Sequence, residues 1–240
     1  MEYRGRTLNC NLFDGQMPDL QKAICTLFDA ILNVKKLYLE FEEPEKKVWV
    51  SHLERVFAYE LYHQWSSILK REKLFGQTKF VLNAEINKNA NYFGHVGEGI
   101  KFPDMVLHHN QGDNKNQGIV CEIKRKEGFN LKSFRDDIEK LECFLQEGNY
   151  SFAIGAFILV GDCIERIYEK VASLKKSMIG IRNTVKTAEI QKRIVCIAYN
   201  GNAVKFSTLY QMIRNTKKHR DNLFLAEKHR YVLSINVNNS

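Results

Sequence analysis

Long apolar runs are absent from this chain of 240 residues. The longest nearly apolar stretch, Phe152 to Val160, is far shorter than the roughly 20 residues that a membrane-spanning helix needs. The first residues, Met1 to Arg6, also lack the apolar centre of a secretion signal. We therefore expect a soluble, cytoplasmic protein.

Paired cysteines are absent as well. The six cysteines are scattered, with no Cys-x-x-Cys pair and no Cys/His spacing suited to zinc. Several fall at positions expected in the core, where a free cysteine behaves as a small hydrophobic residue. The cysteines thus agree with a reducing compartment and do not predict a zinc site.

The composition is that of a basic, globular protein. The hydrophobic fraction of 44% is enough for a substantial core, and no segment has a low-complexity composition. The net charge of +8 fits a polyanionic partner, because contacts from Lys and Arg to phosphates dominate nucleic-acid affinity. Many proteins without such a partner are as basic, and each basic cluster can also be explained as a solvated helix face or loop. The clusters are Lys124–Lys126, Lys175–Lys176, Arg214–Arg220 and Lys228–Arg230.

Two neighbouring apolar segments carry charged residues at positions where strands are predicted. Phe102–His108 contains Asp104, and Gly118–Arg125 contains Glu122 and Lys124. Side chains alternate along a strand, so Glu122 and Lys124 share one face, and Asp104 can meet them if the strands are neighbours. Burying such a cluster has a large desolvation cost, which indicates a metal site.

The sequence context distinguishes Glu122 from other acids that precede a lysine by two positions. Glu45–Lys47 and Asp113–Lys115 have the same spacing, but both lie in polar segments. Only Glu122 lies in a β-branched apolar run, and that run follows the turn-like segment Gln111–Gly118. A hairpin between the two predicted strands is therefore expected.

Pro103-Asp104, followed by Glu122-Ile123-Lys124, resembles the motif of the PD-(D/E)XK nuclease superfamily. The resemblance implies an α/β fold with a restriction-endonuclease-like core, a mixed central β-sheet flanked by helices in α-β-β-β-α-β order. The matching segments are predicted at Lys46–Lys70, Lys79–Ile86, Lys101–His108, Gly118–Arg125, Leu131–Gln146 and Ser151–Val160.

The chain is predicted to form a single domain with two additions. Residues 1–45 form an N-terminal helical arm, with a helix over Pro18–Glu40, and residues 46–161 form the nuclease core. Residues 162–240 form an extension packed on the core, which extends the sheet, builds a dimer interface or contacts the substrate. Its predicted elements are a helix over Asp162–Met178, strands over Arg193–Tyr199 and Ala203–Phe206 joined by an Asn-Gly hairpin turn, and a helix from Ser207.

The amphipathic helix over Leu131–Gln146 has a clear beginning and end in the sequence. Asn130 is expected as its N-cap and Gly148 as its end. We expect this helix to pack on the sheet face that carries Ile119, Cys121 and Ile123.

The resemblance implies a Mg²⁺- or Mn²⁺-dependent nuclease that hydrolyses phosphodiester bonds. Asp104, Glu122 and the carbonyl of Ile123 would be the metal ligands, and Lys124 would orient the attacking water and help to neutralise the phosphate. Hard cations of this kind prefer carboxylate and carbonyl oxygens. The expected activity is that of a DNA endonuclease of restriction, repair or defence type.

Further candidate residues are assigned by their positions in the predicted helices, strands and loops around the motif. Glu60 matches the carboxylate that the first core helix of the superfamily often directs at the active site, although a surface ion pair would also explain it. Gln64 is a lesser candidate for that place, and Glu54 lies near the other edge of the apolar face. Additional acids are Glu85 and Glu98, and the expected nucleic-acid contacts are Arg125, Lys126 and Lys132.

Two other classes of function remain open at this point. The first is a nucleic-acid-binding or assembly subunit with the same fold and no catalytic turnover. The second is a basic protein-interaction module, which would leave the charged cluster unexplained. A homodimer is also compatible with the nuclease reading, since cutting both strands of a duplex needs two sites or two events.

Overall fold

The computed structural model describes residues 2–3, 6–7, 18–43, 48–51, 54–76, 80–84, 103–109, 118–146, 152–176, 188–218 and 235–236. The elements described before the central sheet include two short hairpins and two α-helices. They are β1 (Glu2–Tyr3), β2 (Arg6–Thr7), α1 (Pro18–Asn33), β3 (Glu40–Glu43), β4 (Val48–Ser51) and α2 (Glu54–Arg71).

The rest of the chain alternates between strands of one sheet and helices that cover it. The strands are β5 (Phe80–Ala84), β6 (Met105–His109), β7 (Gly118–Arg125), β8 (Ile154–Val160), β9 (Ile194–Tyr199), β10 (Ala203–Thr208) and the two-residue edge strand β11 (Ile235–Asn236). The helices are α3 (Leu131–Leu145), α4 (Ile164–Lys176), α5 (Ala188–Arg193) and α6 (Leu209–Lys218).

The central sheet is mixed, with the strand order β11-β10-β9-β8-β7-β6-β5. β5, β6 and β7 pair antiparallel, whereas β7, β8 and β9 pair parallel. β9 and β10 form an antiparallel hairpin whose turn contains Gly201 at a φ of 95°, a conformation that glycine adopts easily. An α/β fold with a mixed sheet flanked by helices, as predicted from the sequence, is confirmed.

The two faces of the sheet are covered by different helices. One apolar cluster joins α1 and α2 to Ile119, Cys121 and Ile123 of β7. The other joins α3, α4 and α6 to Val120 of β7 and Phe157 of β8. The predicted packing of α3 on the Ile119 side is therefore wrong. The physical reason is that Val120 and its neighbours make the second face apolar as well, and α1 and α2 already cover the first.

Several predicted boundaries shift in the structure. The predicted helix over Lys46–Lys70 begins only at Glu54, because Val48–Ser51 pairs with β3 as a strand. This segment is Val-Trp-Val-Ser, and β-branched and aromatic residues favour strands. The predicted helix over Pro18–Glu40 ends at Asn33. By contrast, β7 has the predicted ends.

The helix assigned to an N-terminal arm lies inside the core. Phe28 of α1 stacks on Phe206 of β10, with ring centroids 4.4 Å apart. Trp65 of α2 donates a hydrogen bond from Nε1 to Thr26 Oγ1 of α1 at 3.0 Å. The N-terminal helix and the C-terminal strands therefore share one core, and β9 and β10 extend the sheet. None of the helices described here is long and apolar enough to span a membrane.

Candidate active site

Asp104 and Glu122 meet across two neighbouring strands. The antiparallel register of β6 and β7 places Met105 opposite Cys121, so Asp104, the residue before β6, comes opposite Glu122. The backbone N–H of Ile123 donates to Asp104 Oδ2 at 2.7 Å, which holds this carboxylate at β7. Glu122 is almost fully buried, with 1% of its surface exposed. The predicted cross-strand meeting of the two acids is thus present.

Helix α3 adds two charged side chains that were not assigned to the site from the sequence. Lys140 Nζ lies 2.5 Å from Glu122 Oε2, and Lys124 Nζ lies 3.5 Å from Asp137 Oδ2. The acid and the lysine of β7 therefore each face the opposite charge on α3. Lys140 Nζ is also 4.0 Å from Asp137 Oδ1, which links the two pairs.

The start of α3 is held by a capping box, as expected for Asn130. Its Oδ1 accepts a hydrogen bond from Ser133 N at 3.0 Å, and Ser133 Oγ accepts one from Asn130 N at 3.1 Å. Phe134 and Ile138 then bury the apolar face of the helix against the sheet. Asp137 comes three residues after Phe134, which places it on the same side of the helix, and its Oδ2 lies near Lys124 of β7.

The acid of α2 that contacts the cluster is Glu54, in the first turn of the helix. Its Oε2 lies 3.7 Å from Lys124 Nζ and accepts a hydrogen bond from Arg125 N at 3.3 Å. The predicted acid, Glu60, lies apart from these contacts and accepts a hydrogen bond from Gln64 Nε2 at 2.6 Å. The N-terminal end of α2 comes to the C-terminal end of β7, and Glu60 lies more than one helical turn further on.

Burial dominates the proton affinity of the acids in this cluster. Desolvation raises the pKa of Glu122 well above its ordinary value of 4.5, and the nearby Asp104 adds to this effect, whereas Lys140 opposes it. Desolvation also raises the pKa values of Glu54 and Asp137, although Lys124 partly compensates in both cases. Burial thus outweighs the ion pairs of Glu54, Glu122 and Asp137, and it favours the protonated forms of these three acids.

Lys124 is held in its charged form by its neighbours. Desolvation alone would lower its pKa, but Asp137, Glu54 and Asp104 together outweigh that effect and raise the pKa above the ordinary value of 10.5. Lys124 is therefore an ammonium group at neutral pH, suited to hydrogen bonding and charge neutralisation and not to accepting a proton.

The charges in the cluster do not balance. The acids Glu54, Asp104, Glu122 and Asp137 perturb one another, and among the described residues Lys124 and Lys140 are the lysines that favour their charged forms. With all side chains charged, the cluster would carry a formal excess of two negative charges. A divalent cation would supply the missing charge and would favour the charged forms of the three acids whose pKa values burial raises.

The residues fit a cation that retains bound water. Glu122 Oε1 is buried and makes no hydrogen bond to any described residue, so it is available as a ligand beside Asp104. Within the described ranges, no group of three or more His, Cys, Asp or Glu side chains is placed to share one metal ion. Mg²⁺ is commonly held by one or two carboxylates plus water molecules, so two carboxylates are sufficient for it.

The other residues assigned from the sequence lie in varied surroundings. Arg125 is buried and its Nε contacts Glu127 Oε2 at 3.3 Å, while Lys126 Nζ lies 3.9 Å from Glu127 Oε1. Lys132 is exposed on α3. Glu85 and Glu98 lie outside the described residues.

Asp137 was detectable in the sequence. It comes three residues after Phe134 and four before Leu141, which places it on the apolar stripe of α3. An acid on such a stripe needs a partner, the same argument that singled out Glu60 on α2. Glu54 has no comparable signal, because its position at the edge of α2 is also typical of an acid that stabilises a helix N-terminus.

Comparisons of the chain with protein-family models, curated proteins and solved structures find no significant match. The resemblance to the PD-(D/E)XK superfamily therefore depends on the motif residues and on their arrangement.

Proposed function

We propose that the protein is a metal-dependent nuclease with a restriction-endonuclease-like fold, and that it hydrolyses DNA as an endonuclease of restriction, repair or defence type. The observation that supports this proposal most strongly is that Asp104 and Glu122 come together across β6 and β7, with Lys124 beside them. One oxygen of Glu122 is buried there and makes no hydrogen bond to a described residue. Buried charges of this kind are costly unless they are paired or bind a metal ion, and the ion pair of Glu122 leaves its Oε1 for a metal ion.

The arrangement of elements around the motif supports the same proposal. Along the chain, α2 is followed by β5, β6 and β7, and then by α3 and β8. This is the order expected of a restriction-endonuclease-like core. The first helix of that order also supplies an acid, Glu54, to the cluster.

The residues of the cluster would have separate roles in catalysis. A divalent cation held by Asp104 and Glu122, with the Ile123 carbonyl as a further ligand, would activate a water molecule and stabilise the charge that develops on the phosphate. Lys124, kept protonated by Asp137 and Glu54, would donate hydrogen bonds to the attacking water and a phosphate oxygen. The side chains of α2 and α3 thus hold the ammonium group in place.

A cleavage assay tests this proposal. The purified protein is incubated with plasmid, linear duplex DNA, single-stranded DNA and RNA, in Mg²⁺ or Mn²⁺ and in EDTA. We expect cleavage of DNA that requires the metal and that falls at least about a hundredfold in Lys124→Ala. Lys192→Ala is the matched control, because Lys192 also pairs with a glutamate, Glu189 at 2.7 Å, but on an exposed helix.

The contact between Lys140 and Glu122 supports a second candidate, a nucleic-acid-binding or assembly subunit without turnover. An ammonium group already occupies one oxygen of the central acid at 2.5 Å, as it would in a site that no longer needs a metal. Tight DNA binding without cleavage of any substrate in either metal would favour this candidate. Neither binding nor cleavage of DNA or RNA would contradict both.

A further inference from the structure

We propose that Lys140 is a positioning residue that supplies, in the metal-free protein, the positive charge that a divalent cation supplies in the loaded protein. The inference rests on the proposed function, since it concerns the same site. It adds a role for a residue of α3 that acts through Glu122 and not on the substrate.

The contact itself is the first argument. The side chain of Glu122 is 2% exposed, and its Oε2 lies 2.5 Å from Lys140 Nζ. Among the described residues, no other lysine or arginine forms an ion pair with Glu122. Removing one partner of a buried ion pair leaves an uncompensated charge, which is strongly destabilising. The metal-free site therefore depends on Lys140.

The arrangement of the two oxygens is the second argument. Lys140 holds Oε2, while Oε1 is buried and makes no hydrogen bond within the described part of the chain. A cation can therefore bind Oε1 while the ammonium group keeps the carboxylate in a fixed orientation. Lys140 and the cation would then neutralise the same carboxylate through different oxygens, so the loss of one would make the other more stabilising.

The third argument is the charge of the cluster. Counted over the described residues, Glu54, Asp104, Glu122, Asp137, Lys124 and Lys140 carry a formal excess of negative charge with Lys140 in place. Replacing Lys140 with an uncharged residue of similar length increases that excess by one. A divalent cation then relieves more repulsion in the variant than in the wild-type protein, and it should stabilise the variant more.

The melting temperature, measured with EDTA and with Ca²⁺ or Mn²⁺, tests the proposal without any substrate. Lys140→Met should lower Tm in EDTA by about 8 °C. Saturating metal should then raise its Tm by about 4 °C more than it raises that of the wild type. Lys140→Arg keeps the charge, so its Tm in EDTA and its metal-induced rise in Tm should match those of the wild type. Lys192→Met is the control, because it breaks an exposed Lys–Glu pair at 2.7 Å and should leave the metal effect unchanged.

Equal metal-induced rises in Lys140→Met and in the wild type would overturn the proposal while leaving the nuclease intact. No metal-induced rise in the wild type would count against the proposed function itself, so the two failures are distinguishable. If Lys140→Met does not fold in EDTA, the folding of the double variant Glu122→Gln/Lys140→Met in EDTA is measured instead, because this variant removes both charges of the pair. A folded double variant supports the proposal, and one that also fails to fold contradicts it.

Discussion

β7 and β8 are adjacent parallel strands in the middle of the sheet, yet they differ sharply in chemistry. In their register, Glu122 lies beside Phe157 and Lys124 beside Leu159, so these four side chains share one face. Every residue of β8 is buried and apolar, as is typical of a central parallel strand. Folding alone would be satisfied by an apolar β7 as well. The charged positions of β7 therefore indicate a function other than folding, and the neighbouring positions of β8 show what folding requires.

The largest expected effect on folding belongs to β8. Phe157 packs against the rings of Phe134 and Phe129, with centroids 5.1 and 5.8 Å away. Phe157→Ala should lower the free energy of unfolding by about 4 kcal/mol, because it leaves a cavity under α3. Chemical denaturation measures this loss, and Phe157→Leu should lose much less. A small loss in Phe157→Ala would contradict the assigned role of β8.

Glu122→Gln, at the position of β7 that is paired with Phe157, should affect metal binding much more than stability. Lys140 loses its partner in this variant, but its side chain is 20% exposed and its Nζ also lies 4.0 Å from Asp137 Oδ1, so the free energy of unfolding in EDTA should change by less than about 1 kcal/mol. Metal affinity should fall at least about tenfold, because a charged ligand is lost. Calorimetric titration with Mn²⁺ measures the affinity. Unchanged affinity would remove Glu122 from the metal site.

The two acids of α2 provide a smaller, paired test. Glu54→Gln should reduce cleavage about tenfold, because Glu54 helps to hold Lys124 beside the site. Glu60→Gln should change the rate less than about twofold, because Glu60 contacts Gln64 instead. Initial rates on one DNA substrate compare the variants. The reverse result would support the assignment made from the sequence, in which Glu60 is the acid of the first core helix.

The smallest effect concerns pH. The folded protein raises the pKa of Glu122 above its ordinary value of 4.5, so the folded state binds a proton more tightly than the unfolded state. The stability of the metal-free protein should therefore fall as pH rises from about 4.5 towards the raised pKa. In EDTA, Tm of the wild type should drop by about 2 °C more over this range than that of Glu122→Gln. Parallel pH curves for the two proteins would contradict this assignment.

β7 itself was predictable because its pattern is local. An apolar, β-branched run preceded by a turn determines a strand, and alternation places Glu122 and Lys124 on one face. The pairing with Asp104 was also within reach, since a hairpin register follows from two consecutive strands. The capping residue Asn130 was correctly assigned for the same reason, because a cap depends on its own few neighbours.

The face on which α3 packs was not predictable in this way. β7 is apolar on both faces apart from its charged residues, so alternation does not show which face the helix covers. Because the predicted face was wrong, the contacts of Asp137 and Lys140 with the site were not predicted. A helix on the Ile119 side would have placed both residues away from Glu122. Glu54 was missed because its contact depends on where the first turn of α2 meets the end of β7.

The sequence by itself determined the alternating strands, the acid pair with its lysine and the mixed α/β class, since each depends on residues close together in the chain. Only the tertiary structure decided which side chains complete the cluster. Asp137, Lys140 and Glu54 come to β7 from two helices on opposite faces of the sheet, and that meeting depends on how all the apolar surfaces are buried together. Burial likewise decided the proton affinities, because desolvation depends on the whole surrounding core and not on the local sequence.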